Sequence, residues 1–206
     1  MERPDVSMMY VVHKAFRREL ARMQAAAAQA DSPDLHQALR GSWTTFNQYL
    51  TIHHTAEDEM LWPPMRAKLG TGEKVGLLDE MLDEHSRLEP LLREIDNALQ
   101  QSSPANVASL FGELTDVLVS HFEHEETAAL PLVQQTLSAR EWDDFSDDQR
   151  NRIGLRGAEW FFPWLLDDAP PDMQTFVLAL VPPPLRLAYK VVWEPRYRRR
   201  SPWRAK

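Results

Sequence analysis

HHTAEDEMLWP (residues 53–63) and HFEHEETAALP (residues 121–131) align without a gap. Histidine, glutamate, a following acid and a closing proline coincide: His53 with His121, Glu57 with Glu125, Asp58 with Glu126, Pro63 with Pro131. Side chains at i and i+4 project from one helix face. Each block therefore presents an imidazole beside a carboxylate. Both pairs continue apolar stripes, Phe46, Leu50 and Met60 in the first case, Leu110, Leu114, Val117, Ala128 and Leu132 in the second.

Two further histidines fall on such stripes. His13 lies with Met9, Phe16 and Leu20, and precedes the first block by 40 residues. His85 lies with Leu78, Leu82, Leu88 and Leu92, and precedes the second by 36. The pattern predicts two helical hairpins related by a pseudo-twofold axis, with four histidines and two glutamates pointing at the core. A buried carboxylate costs several kcal/mol unless it is paired or binds a cation. Neutral imidazole beside carboxylate suits iron, manganese or zinc better than calcium or magnesium. Six such donors suffice for two adjacent metals, with the carboxylates able to bridge them. His36 reads as surface. His54 and His124 flank the stripe and read as neighbours of the ligands or as surface, and Asp58 and Glu126 as outer partners or solvated acids.

The surrounding periodicity is helical throughout, and glycine is scarce, at 7 residues. Helices are expected over about Ser7–Ala30 with Ser7 as cap, Asp34–Lys68 after a Ser32-Pro33 start, Val75–Gln101, and from a Ser103-Pro104 start to Leu137. LGTGEK is a turn. Long helices joined by short turns predict an all-α, up-down antiparallel four-helix bundle over residues 1–137. Residues 138–206 form a helical, proline-rich C-terminal extension that holds five of the seven tryptophans. It is expected to pack on the bundle through its aromatics. Ser138 with Glu141 and Ser146 with Gln149 resemble capping boxes, and a short apolar helix is expected near 172–181.

Composition narrows the function classes. The chain has 206 residues and no cysteine, which excludes disulfides, thiolate metal sites and cysteine nucleophiles. Net charge is −8, divided as −15 over residues 1–185 and +7 over 186–206. The acidic body argues against nucleic-acid binding. The basic tail suits an anionic surface or the acidic body itself. The apolar stretch Met173–Leu185 is 13 residues with three prolines, too short to span a bilayer. MERPDVSMMY lacks a signal-peptide pattern, so a cytoplasmic location and no integral membrane segment are expected. No Ser-His-Asp set, phosphate loop or nucleotide fingerprint occurs.

The set His13, His53-xxx-Glu57, His85 and His121-xxx-Glu125, with both quoted blocks, resembles the hemerythrin-like (HHE cation-binding) domains over about residues 7–137. The resemblance implies a non-haem di-iron centre, two iron ions joined by an oxide or hydroxide, with Glu57 and Glu125 as bridges. Zinc or manganese would enter the same donors by mismetallation. The family's oxygen carriers place a second histidine one turn along the third helix. Here that position is Glu89, which the resemblance makes a seventh candidate ligand. The implied function is binding or sensing of a small diatomic molecule, dioxygen or nitric oxide. A redox enzyme acting on peroxide or nitric oxide, and an iron-binding or storage protein, are the alternatives.

Overall fold

Helix boundaries follow the local chemistry of the chain. The computed structural model describes residues 3–29, 32–100 and 106–203, and among these no strand occurs. Helix α1 spans Ser7–Ala27 and α2 spans Pro33–Ala56. The π turn Glu57–Leu61 follows, then α3, Trp62–Leu69, and α4, Glu73–Gln100. Helix α5 is Val107–His124, followed by the π turn Glu125–Ala129 and α6, Leu130–Thr136. In the extension, α7 is Ala139–Leu166, α8 is Pro171–Leu180 and α9 is Pro183–Ala188. A third π turn, Tyr189–Trp193, leads into α10, Glu194–Arg200.

Several starts differ from expectation. Ser7 does not cap α1. Its own N–H donates to Asp5 Oδ1 at 3.0 Å, so the aspartate two residues earlier satisfies one N–H of the helix start. Ser138 does cap α7: its Oγ accepts from the Glu141 N–H, and Glu141 Oε2 accepts from the Ser138 N–H at 2.8 Å. Ser146 starts nothing, because α7 runs through it and bends only at Gly154, whose φ is 67°. The Ser103-Pro104 start, and the expected ends at Ala30 and Gln101, lie outside the described residues.

Each motif proline coincides with a change of helix pitch. Trp62 N–H bonds Glu57 C=O, and Leu130 N–H bonds Glu125 C=O, both five residues back rather than four. Pro63 and Pro131 come next and lack the N–H that a regular ladder would use. The same arrangement recurs at Tyr189 and Glu194 before Pro195. Pro90 sits inside α4 without such a turn, so proline alone does not force it. The π turns shift the buried stripe by one residue. Leu61 and Ala129 are buried where unbroken periodicity points to Met60 and Ala128, which are half-buried.

Helix α1 packs against α2 and α5, and α4 packs against α5 and α2. Two apolar clusters result. One gathers Phe16, Leu20, Phe46, Leu50, Leu88, Leu118 and Phe122. The other gathers Met9, Ala56, Leu61, Trp62, Met81, Ala129 and Leu130. The histidines and glutamates fall between them in every helix, as a polar layer inside the core. Helix α7 contributes Trp142 and Phe145 to the second cluster and Trp164 to the first.

The extension is fastened by cations of α1. Arg18 donates to the carbonyls of Trp164 at 2.5 Å, Leu165 at 3.2 Å and Asp167 at 2.6 Å, which closes the C-terminal end of α7. Arg22 pairs with Asp167 at 2.8 Å. Trp203 Nε1–H donates to the buried Glu19 Oε2 at 2.8 Å. The ion pairs that bind the extension to α1 thus use its acids, while Arg198, Arg199 and Arg200 remain exposed.

Candidate metal centre

Helices α1 and α4 each supply one histidine, His13 and His85. The last turn of α2 carries His53 and His54, and α5 carries His121. Glu57 and Glu125 open the π turns. All seven side chains are buried, with His13, Glu57 and Glu125 at 0% exposure.

The donors fall into two groups. In the first, His13 Nε2 lies 3.1 Å from His53 Nε2 and 3.1 Å from Glu125 Oε2, and His53 Nε2 lies 3.2 Å from Glu57 Oε1. In the second, His85 Nε2 lies 3.2 Å from His121 Nε2 and 3.5 Å from Glu57 Oε2. His54 joins His85 and His121 in that group. Glu57 therefore reaches one group with each oxygen. Neighbouring donors on one cation, each bonded at about 2.1 Å, lie about 3 Å apart at right angles. The observed edges match that spacing.

The donor set also fits a cation by elimination. All four oxygens of Glu57 and Glu125 are buried with no hydrogen-bond donor. Nitrogens approach them, but no N–H is aimed at them. Left unpaired, such groups cost several kcal/mol. Two cations among these donors would satisfy them all.

Carboxylates orient the rings from behind. His13 Nδ1 is 2.9 Å from Glu126 Oε1, which also accepts from Arg17 at 2.6 Å. His85 Nδ1 is 2.7 Å from Asp58 Oδ1. His121 Nδ1 is 2.7 Å from Glu84 Oε2, whose other oxygen meets His124 Nδ1 at 2.8 Å. A carboxylate that takes the Nδ1 proton leaves Nε2 free as a donor of its lone pair. The arrangement obeys the twofold relation of the sequence, Glu126 to His13 as Asp58 to His85. It departs from it at His53, whose Nδ1 has no partner.

Electrostatics separates the two glutamates. Burial, then Glu125 and Asp58, hold the Glu57 pKa well above the usual carboxylate range. Burial pushes Glu125 up as well, but the imidazole of His13, 3.1 Å away, outweighs it and brings its pKa below the ordinary value. Burial, then the other imidazoles, keep His53 and His54 well below the usual histidine value, so both are neutral and able to bind a metal. Partial burial pushes Glu126 up, yet hydrogen bonds from His13 and Arg17 bring its pKa down to about 2.

Six of the seven residues expected as ligands are brought together: His13, His53, Glu57, His85, His121 and Glu125. Glu89 is not. It is exposed and pairs with Arg93 at 3.2 Å. The inward line of α4 runs Met81, His85, Leu88, Ile95, so the residue one turn after His85 that faces the core is Leu88. His54 was not expected among the donors. The signal was the His53-His54 doublet, at whose aligned second position the other block has Phe122. His124 is half-exposed beside Glu80 and Glu84. His36 lines a surface hollow with Arg40 and Thr44.

The chain matches one curated protein named DNA nickase, from Nostoc sp. (strain PCC 7120 / SAG 25.82 / UTEX 2576), at 28% identity over 99 residues. That match covers 48% of this chain and 26% of the nickase, so the chain spans about a quarter of that relative's length. No solved structure matches. The sequence profile of the hemerythrin HHE cation binding domain matches residues 5–133, the span that carries every donor of the buried layer. On that match the chain belongs to the hemerythrin HHE cation-binding family.

Proposed function

We propose that the chain is a non-haem di-iron protein that binds or senses a small diatomic molecule, dioxygen or nitric oxide. In this reading α1, α2 with α3, α4, and α5 with α6 form an up-down antiparallel bundle over residues 1–137, and 138–206 is its packed extension. The observation that carries the proposal is the set of four buried, donor-less carboxylate oxygens among five imidazoles. His13 and His53 would hold one iron and His54, His85 and His121 the other, with Glu57 and Glu125 between them. Iron bound there would supply a redox-active pair with affinity for small diatomic molecules.

The chain's own residues prepare that chemistry. Glu126, Asp58 and Glu84 hold the imidazole protons at Nδ1. Phe122 stacks on His13 with ring centroids 4.4 Å apart, and Phe16 lies 5.6 Å from His53. These rings exclude water from the first group. Trp164 of the extension backs Phe16 at 5.4 Å. The acidic body supports leaving nucleic acid, and with it the activity named for the nickase, out of this reading.

Iron content and an optical spectrum, recorded before and after dioxygen, nitric oxide and peroxide, test the proposal. Two irons per chain and a stoichiometric spectral change with one diatomic gas are expected. One iron or none in iron-supplied protein refutes the di-iron reading. Steady turnover of peroxide or nitric oxide replaces binding by redox catalysis.

A further inference from the structure

Helix α9, the π turn 189–193 and α10 form one continuous helical rod. Its inner side packs on the body: Tyr189 is buried, and Trp193 and Tyr197 lie against the apolar core. Its outer side is uncovered. Leu187 is 63% exposed, Val191 61% and Val192 50%, and Leu180 at the end of α8 is 60% exposed. Among the described residues the other large apolar side chains left open are Tyr10 on α1 and Leu155 on α7.

The charge along this rod is mainly positive, and its one acid, Glu194, is paired with Arg198. No carboxylate occurs between Asp172 and Glu194. Lys190 and Arg199 are exposed and, among the described residues, form no ion pair. The segment 186–206 carries +7. No helix of the described residues is long and apolar enough to cross a membrane.

We propose that this face docks on an anionic lipid surface. The aliphatic side chains would enter the boundary between headgroups and acyl chains, and Lys190 and Arg199 would meet the lipid phosphates. Both halves of the face select this occupant. Exposed aliphatics need an apolar partner, and the cations beside them need an anionic one. A second copy fits poorly, because pairing two such faces opposes like charges and, among the described residues, no other group of exposed aliphatics adjoins it. The acidic body, repelled by the same lipids, would fix the orientation with the rod toward the bilayer.

Sedimentation of the iron-loaded 206-residue chain with phosphatidylcholine vesicles, with and without phosphatidylserine, tests this. Binding is expected only with phosphatidylserine and should weaken as salt rises. Leu187→Ser with Val191→Ser, and separately Lys190→Gln with Arg199→Gln, should each lower partitioning about tenfold or more. Leu155→Ser, at a leucine even more exposed than Leu187, should change nothing. Helix content and iron content, unchanged in all variants, show that they fold. Absence of binding to phosphatidylserine vesicles overturns the proposal, as do variants that bind like the parent. Self-association of the parent that is lost in Leu187→Ser with Val191→Ser, without vesicle binding, assigns the face to a second copy and overturns it too.

Discussion

His54 and Phe122 are counterparts across the pseudo-twofold axis. His54 stacks on His85 with centroids 4.0 Å apart and planes at 13°, and Phe122 stacks on His13 at 4.4 Å and 21°. Each ring covers the lone histidine of the neighbouring helix. Only one of them carries nitrogen, so the two halves of the centre are chemically unequal. A phenyl ring can fill the His54 position, since its counterpart already does. His54→Phe should therefore fold, and should lose affinity for one of two metals by at least about tenfold, the lower end of what disturbing a metal site's partners costs. Iron per chain after a chelator challenge checks this, and retention of both irons by the variant would remove His54 from the ligand set.

Glu57→Gln should separate metal binding from folding. The substitution removes a buried like-charge partner of Glu125. The metal-free variant should melt at or above the temperature of the metal-free parent, while the rise in melting temperature on adding iron disappears. A variant that keeps the iron-dependent rise would show that Glu57 binds no metal.

Arg18 holds three carbonyls at the end of α7. Arg18→Met removes that donor, leaving the Trp164 carbonyl only the Asp167 N–H at 3.4 Å, and should cost about 2–3 kcal/mol. The readouts are the melting temperature and limited proteolysis, with cleavage expected first near residues 167–171. Proteolysis at the parent's rate would mean that the aromatic contacts of Trp164 suffice to hold the extension.

Hydrogen bonds from Lys68 and Ser138 hold the pKa of Glu141 at about 2, below the ordinary carboxylate value of 4.5. A lowered folded-state value means that the carboxylate stabilises the fold above about pH 4.5, and that this contribution fades as pH falls toward 2. The pair is largely solvent-screened, so the effect is small. Glu141→Gln, which also weakens the α7 cap, should cost about 1 kcal/mol at neutral pH. Denaturant melts at pH 7 and near pH 3 should show a smaller difference between variant and parent at the acid end.

Glu89→Gln should leave iron content and spectrum unchanged. Its exposed pair with Arg93 contributes less than about 1 kcal/mol. Loss of iron in this variant would place Glu89 at the metal after all.

The donor layer was legible because one helical turn converts sequence spacing into a shared face, and because two blocks repeated the same spacing. His53, Glu57, His121 and Glu125 needed nothing more. His54 was not legible, since a residue adjacent to a ligand usually points elsewhere, and only the closing of α4 against α2 brings it to His85. Likeness to the oxygen carriers points to Glu89, whereas the inward line of α4 passes through Leu88. The Ser146 cap failed because a cap signal inside a helix competes with a ladder already formed. The grip of Arg18 and Arg22 on α7 joins residues far apart in sequence, and no local pattern announces it.

The change of pitch at Glu57 and Glu125 has a consequence for chain length. Because each ladder bond there spans five residues, each motif contains one residue more than a regular helix needs to join its flanks. Before the turn the buried line runs Leu50, His53, Glu57; after it, Leu61, Met65. Removing one of residues 58–60 would rejoin the two lines as an ordinary α-helix, with α3 still facing the core. Packing would survive such a deletion, but the carbonyl of Glu57 would take a nearer partner and its side chain would lose the local widening that sets its angle. Metal affinity should therefore be far more sensitive than folding to single-residue deletions in 58–60 and 126–128, whereas in α4, which has no spare residue, a deletion between Met81 and Leu88 would turn every following side chain out of the core.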